Sequence, residues 1–293
     1  MMIKKFAYTP ILGWSVSRYD KFKLCKRQYF YEYYGRYDKA YAKIKNLKKL
    51  TSIPLAIGTI VHDIIKVILE RLLKSDEEID VERFLGFAKK QTERYCHENT
   101  FIEVYYNEVS HVNPDELFEK IEKDLMNFLN SDRYNWIKVK AIINKDNWVI
   151  EPPGYGEFRL SSMKVYCKVD FLFPINNEIY IIDWKTGKID NIKHKKQLLG
   201  YVSWVSYNLK TNPERITPII AYLKPSYREI KMKFNDYDIE DFIAQIKEET
   251  EEMYFLCRDV EENIPKDKKE FTKTRYKKIC DYCNYRELCY GSK

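Results

Sequence analysis

The chain has 293 residues, a formal net charge of +7 and 45% hydrophobic residues, so it is long enough for a sizeable core and too apolar to be disordered. No apolar run approaches the roughly 20 residues that a membrane helix needs, and residues 1–10 lack the apolar segment of a secretory signal. We therefore expect a cytoplasmic protein without a membrane partner. The charge favours a nucleic-acid partner only weakly, whereas seven cysteines in such a chain favour metal ligation over disulfides.

The first segment, residues 14–75, is predicted to be mostly helical. Residues 14–34 carry aromatic side chains at helical spacing after a serine cap, with Cys25 inside the helix. Residues 35–56 are predicted to be a loop whose basic run at 43–49 is either a solvated face or a DNA contact. Residues 57–73 form a strongly apolar helix with His62 near its start. Gly58 would allow a close backbone approach there, so His62 is either an ordinary core histidine or part of an active-site wall.

The next segment, residues 77–133, is predicted to be a helical insertion with helices at 79–97 and 114–131. The second helix has Asn113 as its cap and Pro114 at its first position. Residues 134–161 are predicted to hold short strands with a Pro-Pro-Gly turn at 152–154. Glu151 or Glu157 could approach a metal from this region, but neither is assigned to one.

The central stretch of the chain is a predicted β-hairpin. Two β-branched runs, at 165–173 and 178–183, flank a turn at 174–177. Asp170 lies in the first strand, while Asp183 and Lys185 share one face at the end of the second, with Trp184 on the other face. Buried charges are costly unless they are paired or hold a metal, so this is either a structural ion pair or a Mg2+ or Mn2+ site.

A helix is predicted near 191–210, where Gln197 and Tyr201 share one face because they are four residues apart. That face is either a polar surface or one turned toward the active site or a phosphate backbone. Strands are predicted at 215–223 and 227–234, and a long helix at 237–258. The basic stretch 266–278 is either a solvated linker or a guide for the DNA backbone.

The last segment carries Cys280, Cys283 and Cys289 in the spacing C-x2-C-x5-C, which is typical of metal ligands. Three thiols leave one ligand missing, and no histidine follows them. Cys25 is the best candidate for the fourth ligand. The spacing does not decide between zinc and an iron-sulfur cluster.

These motifs together resemble a known family. GTIVH at 58–62, Asp170, IIDWKTGK at 181–188 and Gln197-x3-Tyr201 occur in the order found in RecB-like PD-(D/E)XK nucleases. The opening SVSRYDKFKLCKRQYFYEY and the four cysteines resemble the iron-sulfur branch of that family, which includes AddB-type nuclease domains and CRISPR-associated RecB-like nucleases. The resemblance extends from Ser15 to Tyr290.

The resemblance implies a role for each matching residue. His62, Asp170, Asp183 and the Trp184 carbonyl would bind Mg2+ or Mn2+, and Lys185 would position or activate water. Gln197 and Tyr201 would shape the site and touch DNA. The remaining set would hold a four-iron four-sulfur cluster, with zinc as the less favoured occupant, and comprises Cys25, Cys280, Cys283 and Cys289. Loss of the cluster should release both chain ends.

The sequence departs from the family pattern around the first acid. The family often has Gly-Arg-Ile-Asp before and at that position, whereas this chain has Cys167, Lys168, Val169 and Asp170, followed by Phe171 where a charged residue is common. Lys168 can keep the charge, but the sequence alone does not explain Cys167. The second acid is an aspartate, which is within the family's range.

The resemblance implies an α/β fold of the PD-(D/E)XK type, with a mixed central sheet flanked by helices. We expect one catalytic domain over 1–293, made of N-terminal helices (14–75), an insertion (77–133), an α/β core (134–258) and an iron-sulfur segment (259–293). The expected function is a metal-dependent DNase, an exonuclease on single strands or duplex ends, with a helicase or CRISPR adaptation proteins as candidate partners. The alternative is a catalytically silent DNA-binding subunit of a larger nuclease-helicase complex.

Overall fold

The protein is described by a computed structural model covering residues 6–75, 77–151, 156–160 and 163–291. The Pro-Pro-Gly turn expected at 152–154 lies outside these residues. The α-helices are α1 (Val16–Leu24), α2 (Lys26–Tyr34), α3 (Tyr41–Leu47), α4 (Ile53–Lys74), α5 (Val81–Glu98), α6 (Ile102–Tyr105), α7 (Pro114–Leu129), α8 (Asp132–Val139), α9 (Asn191–Leu209), α10 (Asp236–Tyr254) and α11 (Arg286–Tyr290). The strands are β1 (Gly13–Trp14), β2 (Val149–Ile150), β3 (Glu157–Leu160), β4 (Met163–Tyr166), β5 (Phe171–Ile175), β6 (Glu178–Lys185), β7 (Ile216–Tyr222), β8 (Arg228–Lys231), β9 (Cys257–Asp259) and β10 (Ile264–Pro265).

A five-stranded mixed sheet in the order β2-β5-β6-β7-β8 forms the centre of the fold. Strands β6 and β7 are parallel and are joined through α9, whereas the other neighbours in this sheet are antiparallel. A smaller sheet, β1-β4-β3, and a β9-β10 pair complete the strands of the described residues. The expectation of a mixed central sheet flanked by helices is confirmed.

The predicted hairpin is present, but its first strand is shorter than expected. Residues 165–173 do not form one strand, because β4 ends at Tyr166 in the small sheet and β5 begins at Phe171 in the central sheet. The turn is tight, with positive φ angles of 47° at Asn176 and 64° at Asn177, which asparagine tolerates better than most residues. The break between β4 and β5 leaves Asp170 at the end of a strand, outside the regular ladder.

Both faces of the central sheet are covered, because alternate residues of its strands enter two separate apolar clusters. Ile179 and Ile181 of β6 pack with α1, α2, α9 and α10. Ile182 and Trp184 pack with α4, α7 and α8 on the opposite face. Burial of apolar surface on both faces is the main favourable term that holds such layers together.

The N-terminal helices differ from the prediction in three places. Cys25 is not inside a helix: it ends α1 and caps α2, where its sulfur accepts a hydrogen bond from the Gln28 backbone N–H at 3.5 Å. Residues 35–56, predicted to be a loop, contain α3. Helix α4 begins at Ile53, capped by Ser52, so His62 lies near the middle of the helix and not near its start.

The insertion contains the two predicted helices as α5 and α7, and Asn113 caps α7 as expected. Residues 134–147, predicted to hold strands, are instead mostly helical in α8 and a following 3-10 turn. None of the described helices is long and apolar enough to cross a bilayer.

The C-terminal segment packs against the N-terminal helices through contacts that do not involve sulfur. The Asn284 side chain donates to the carbonyls of Leu47 and Leu50 at 3.0 and 2.9 Å. Arg27 donates its backbone N–H to Thr272 at 3.0 Å and its Nε to Phe271 at 2.9 Å. These contacts bring residues near both ends of the chain together.

Candidate functional site

Strand register places three carboxylates side by side at one end of the central sheet. In the β2-β5 pair, Ile150 lies opposite Phe171, so the next position brings Glu151 opposite Asp170, and the Glu151 backbone N–H donates to the Asp170 carbonyl at 2.8 Å. In the β5-β6 pair, Phe171 lies opposite Ile182, so the same step brings Asp170 alongside Asp183. Asp183 therefore lies within β6, while Asp170 directly precedes β5 and Glu151 directly follows β2.

Helix α4 adds His62 to this row of acids. His62 Nδ1 lies 3.3 Å from Asp170 Oδ2, and the same oxygen accepts the Trp184 backbone N–H at 3.1 Å. Trp184 itself turns away from the acids and packs against Phe128 and Phe171, as the alternation of strand side chains requires. A Cβ at Gly58 would lie 3.3 Å from Thr186 Oγ1, so the group close to Gly58 is a side chain and not a backbone.

Asp183 is held by groups on the other side of Asp170. Lys185 forms an ion pair with Asp183 Oδ2. Gln197 donates to Asp183 Oδ1 at 3.0 Å, and the Tyr201 hydroxyl donates to the same oxygen. Gln197 also donates to Tyr201, so the two residues predicted to share a face of α9 form one hydrogen-bonded unit facing the acid. Asp183 is only 2% exposed.

The charged groups of the cluster shift one another's pKa values because they lie close together in a buried setting. Burial lowers the pKa of His62, but Asp170 and Asp183 raise it more, to about 9. Burial also raises the pKa of Asp183, and the neighbouring Asp170 adds to this effect while Lys185 opposes it. For Asp170, the charges of His62 and Lys185 outweigh burial and lower its pKa. His62 and Lys185 supply positive charge to the two adjacent carboxylates, and a bound cation would add to it.

The donor atoms fit a divalent cation. One ligand atom each from His62, Glu151 and Asp170 lie within 4.8 Å of one another. Carboxylate oxygens are the preferred donors for Mg2+ and Mn2+, and an imidazole nitrogen suits transition metals. Of the four residues predicted to bind metal, His62 and Asp170 belong to this group. The Asp183 and Trp184 carbonyl ligand roles remain predictions.

The deviations around the first acid have structural reasons. Cys167 is buried, and its backbone N–H donates to the Gly156 carbonyl at 3.1 Å. Its sulfur would lie 3.8 Å from a Cβ at Gly200. Cys167 therefore acts as a small residue between the β4-β5 connection and α9. Lys168 lies 3.4 Å from Glu151. Phe171 is fully buried against Trp148, which leaves no room for a charged residue.

Two residues beside Lys185 were not predicted from the sequence. His194, 7% exposed, forms a hydrogen bond through Nδ1 with the Tyr222 hydroxyl, and Tyr222 is the β7 neighbour of Lys185. Burial, and then the charge of Lys185, lower the pKa of His194 to about 4. His194 lies three residues before Gln197 on α9, so helical spacing could have placed it beside the predicted site. An open groove lies beside this pair, lined by Lys185, Lys188, Asp190, Lys193 and Gln197.

The four predicted cysteine ligands line one small cavity. Cys25, Cys280, Cys283 and Cys289 are all free and border the same space. Burial, and next to it the nearby Cys25, Cys289 and Cys280 thiols, raise the pKa of Cys283 to about 12. The fold therefore joins the far-separated Cys25 to the C-x2-C-x5-C segment, as the sequence suggested.

The basic stretch 266–278 is partly paired, since Lys268 lies 2.5 Å from Asp38 and Lys273 donates to the Cys289 carbonyl at 2.7 Å.

The fold and the site define an α/β protein with a histidine, carboxylate and lysine cluster suited to a divalent cation. Residues 13–290 match the family model of the PD-(D/E)XK nuclease superfamily, and the chain belongs to that superfamily. This membership supports a nuclease activity and confirms the superfamily part of the resemblance.

Solved structures that the chain matches include the crystal structure of SSO0001, at 17% identity and a TM-score of 0.32, covering 69% of this chain and 82% of that one. Another is a protein named "Putative exonuclease" from Eubacterium rectale, at 14% identity and a TM-score of 0.44, covering 82% of this chain and 79% of that one. Comparison with curated proteins gives no match.

Proposed function

We propose that the protein is a Mg2+- or Mn2+-dependent deoxyribonuclease, acting as an exonuclease on single-stranded DNA or duplex ends through one catalytic domain. The observation that carries the proposal is the convergence of His62, Asp170, Asp183 and Lys185 at one end of the sheet. Family membership supports the nuclease class. The DNA substrate and the exonuclease mode rest on the motif resemblance, as do a helicase or CRISPR adaptation proteins as partners.

In the proposed site, cation binding and phosphate stabilisation are carried out by different residues. His62 and Asp170 would hold the cation, which when bound supplies Lewis acidity toward a water molecule and a phosphoryl oxygen. Lys185 keeps its ammonium beside Asp183, where it can hold a water or stabilise charge on the phosphate. Gln197 and Tyr201 fix the position of Asp183. The groove with Lys188 and Lys193 would receive the phosphate backbone.

A cleavage assay tests this proposal. Protein purified without oxygen is incubated with end-labelled single-stranded DNA, duplex DNA or RNA, in Mn2+, Mg2+ or EDTA. We expect metal-dependent cleavage of DNA that is lost in Asp183→Ala and Lys185→Ala. The matched controls are Asp115→Ala and Lys89→Ala, which alter an exposed pair of the same residue types on α7 and α5, and these should retain full activity.

The product ladder reports exonuclease action and its polarity. Cleavage that survives both active-site substitutions would contradict the proposed site. A folded, metal-loaded protein that cleaves none of the three polymers would favour the alternative of a silent DNA-binding subunit.

We further propose that the four cysteines hold a four-iron four-sulfur cluster. All four thiols border one cavity, which brings Cys25 to the C-x2-C-x5-C segment and supplies four candidate ligands. The preference for an iron-sulfur cluster over zinc rests on the motif resemblance. Because metal ligation stabilises the thiolate, a cluster would also offset the raised pKa of Cys283.

Metal analysis of the same preparation tests the cluster. We expect a brown protein that carries about four iron atoms per chain and loses its colour in Cys283→Ser. The control is Cys96→Ser, which changes a cysteine on α5 outside this cavity and should keep the iron. A colourless protein with one zinc per chain would overturn the iron-sulfur proposal.

A further inference from the structure

We propose that Glu151 is a ligand of the same cation as His62 and Asp170. This inference rests on the proposed metal-dependent function and adds a residue that the sequence motifs do not include. One oxygen of Glu151 lies within 4.8 Å of a His62 nitrogen and of an Asp170 oxygen, so these three atoms are close enough to bind one ion.

The placement of Glu151 follows from the fold. It directly follows β2, at the position opposite Asp170 in the β2-β5 register, and its backbone N–H donates to the Asp170 carbonyl at 2.8 Å. Its φ angle is 39°, in the left-handed region that favours glycine or asparagine. A glutamate at such a position has a backbone cost, which is consistent with a role for its side chain.

Two lysines contact the Glu151 carboxylate through the same oxygen. Lys66 and Lys168 both donate long hydrogen bonds to Oε2, at 3.5 and 3.4 Å. The side chain is 13% exposed, so it is partly desolvated but not enclosed. By contrast, the two oxygens of Asp183 are engaged by Lys185, Gln197 and Tyr201.

This geometry gives different roles to Glu151 and Asp183, which lie on opposite sides of Asp170. His62, Glu151 and Asp170 provide one nitrogen and two carboxylates for the cation. Asp183 keeps Lys185 in place on the opposite side of Asp170. The inference therefore separates cation binding, which requires Glu151, from cleavage, which also requires Asp183 and Lys185.

Calorimetric titration with Mn2+, in the absence of nucleic acid, tests the inference on the full chain. Glu151→Gln removes the charge at nearly constant size, and we expect its affinity for Mn2+ to fall at least about tenfold. Glu151→Asn is the second variant, because asparagine tolerates the left-handed backbone and should preserve the fold. The matched control is Glu157→Gln, since Glu157 lies on β3 and pairs with Arg159 at 2.7 Å. It should bind Mn2+ within about twofold of the wild type.

Circular dichroism identifies which variants are folded. If folded Glu151→Gln or Glu151→Asn binds Mn2+ as tightly as the wild type, or if the wild type binds no Mn2+, the inference is overturned. The outcome is separable from that of the cleavage assay. Binding that depends on Glu151 without any cleavage would sustain the inference and remove the proposed function, whereas cleavage with Glu151-independent binding would do the reverse.

Discussion

The Tyr201 hydroxyl donates a hydrogen bond to Asp183 across the contact between α9 and the central sheet. Tyr201 is buried, and burial, followed by the charge of Asp183, raises the pKa of its hydroxyl, so it stays a donor at neutral pH. Gln197, one turn earlier, donates to the same carboxylate oxygen. Helix α9 therefore fixes the orientation of an acid whose own strand supplies only its position.

We predict that Tyr201→Phe lowers kcat by about 10- to 100-fold, because it removes one hydrogen bond to a charged group worth roughly 1.5–3 kcal/mol. KM should change little, since the proposed phosphate contacts lie in the groove with Lys188 and Lys193. Steady-state kinetics on labelled DNA measure both parameters. Tyr207→Phe, on the same helix outside the cluster, is the control. Unchanged kcat in Tyr201→Phe would show that Asp183 needs no support from α9.

Much of the site could be predicted because its residues belong to short local patterns. Alternation along β6 places Asp183 and Lys185 on one face, and the spacing of four on α9 aligns Gln197 with Tyr201. Both relationships depend only on the period of a single element. The structure reproduces both as direct contacts.

The relationships that the sequence left unassigned depend on pairing and packing between separate elements. Glu151 reaches Asp170 only through the β2-β5 pairing, and His194 reaches Tyr222 only after α9 packs on β7. The predicted strand at 165–173 was wrong for a related reason. The alternating apolar residues of this segment are compatible with a strand in either sheet. The Cys167 backbone N–H donates to the Gly156 carbonyl, and the first part of the segment forms β4 of the small sheet instead of extending β5.

We predict that Gly156→Ala destabilises the protein by about 3 kcal/mol or more. Gly156 has a φ of 58°, and a Cβ there would lie 1.6 Å from the Cys167 carbonyl oxygen, which is backbone and cannot move aside cheaply. The contact organises the connection that leads to Asp170. Urea denaturation measures the change, and cation affinity should fall with it as Asp170 is displaced.

Gly86→Ala is the matched control for this substitution. Gly86 lies inside α5 and a Cβ there would meet nothing within 4 Å, so alanine should stabilise the protein by about 0.5–1 kcal/mol through its higher helix propensity. Opposite signs for the two glycines are the expected result. Equal effects would mean that the close approach at Gly156 relaxes without cost.

We predict that Cys283→Ser loosens the C-terminal segment without unfolding the core. Cys283 is buried and borders one cavity with the other three thiols. Asn284 and Arg27 hold the C-terminal segment through hydrogen bonds that involve no sulfur. This limits the expected effect of cluster loss, which was the release of both chain ends, to the C-terminal segment. Limited proteolysis should cut first within 266–291, while the helical signal in far-ultraviolet circular dichroism persists. Cleavage spread evenly along the chain would contradict this prediction.

Arg133 and Glu229 form a two-point ion pair that joins α8 to β8, with N–O distances of 2.7 and 2.8 Å. Burial raises the pKa of Glu229, but hydrogen bonds from Arg133 and Tyr227 lower it more, from 4.5 to about 2. The folded state therefore binds a proton less readily than the unfolded state. The pair stabilises the protein fully above about pH 4.5, and that stabilisation, at most about 3 kcal/mol, is lost as the pH falls toward 2.

We predict that Glu229→Gln removes most of this acid dependence, so that the free energy of unfolding of the variant and the wild type converge as the pH falls from 4.5 toward 2. Arg133→Met should cost more at neutral pH, because it leaves a half-buried carboxylate without its partner. Glu178→Gln changes an exposed glutamate that lies 3.5 Å from Lys233, and it should leave the pH dependence unchanged. Urea denaturation between pH 7 and pH 3 measures all three. A constant gap between Glu229→Gln and the wild type over that range would show that Glu229 ionises alike in the folded and unfolded chain.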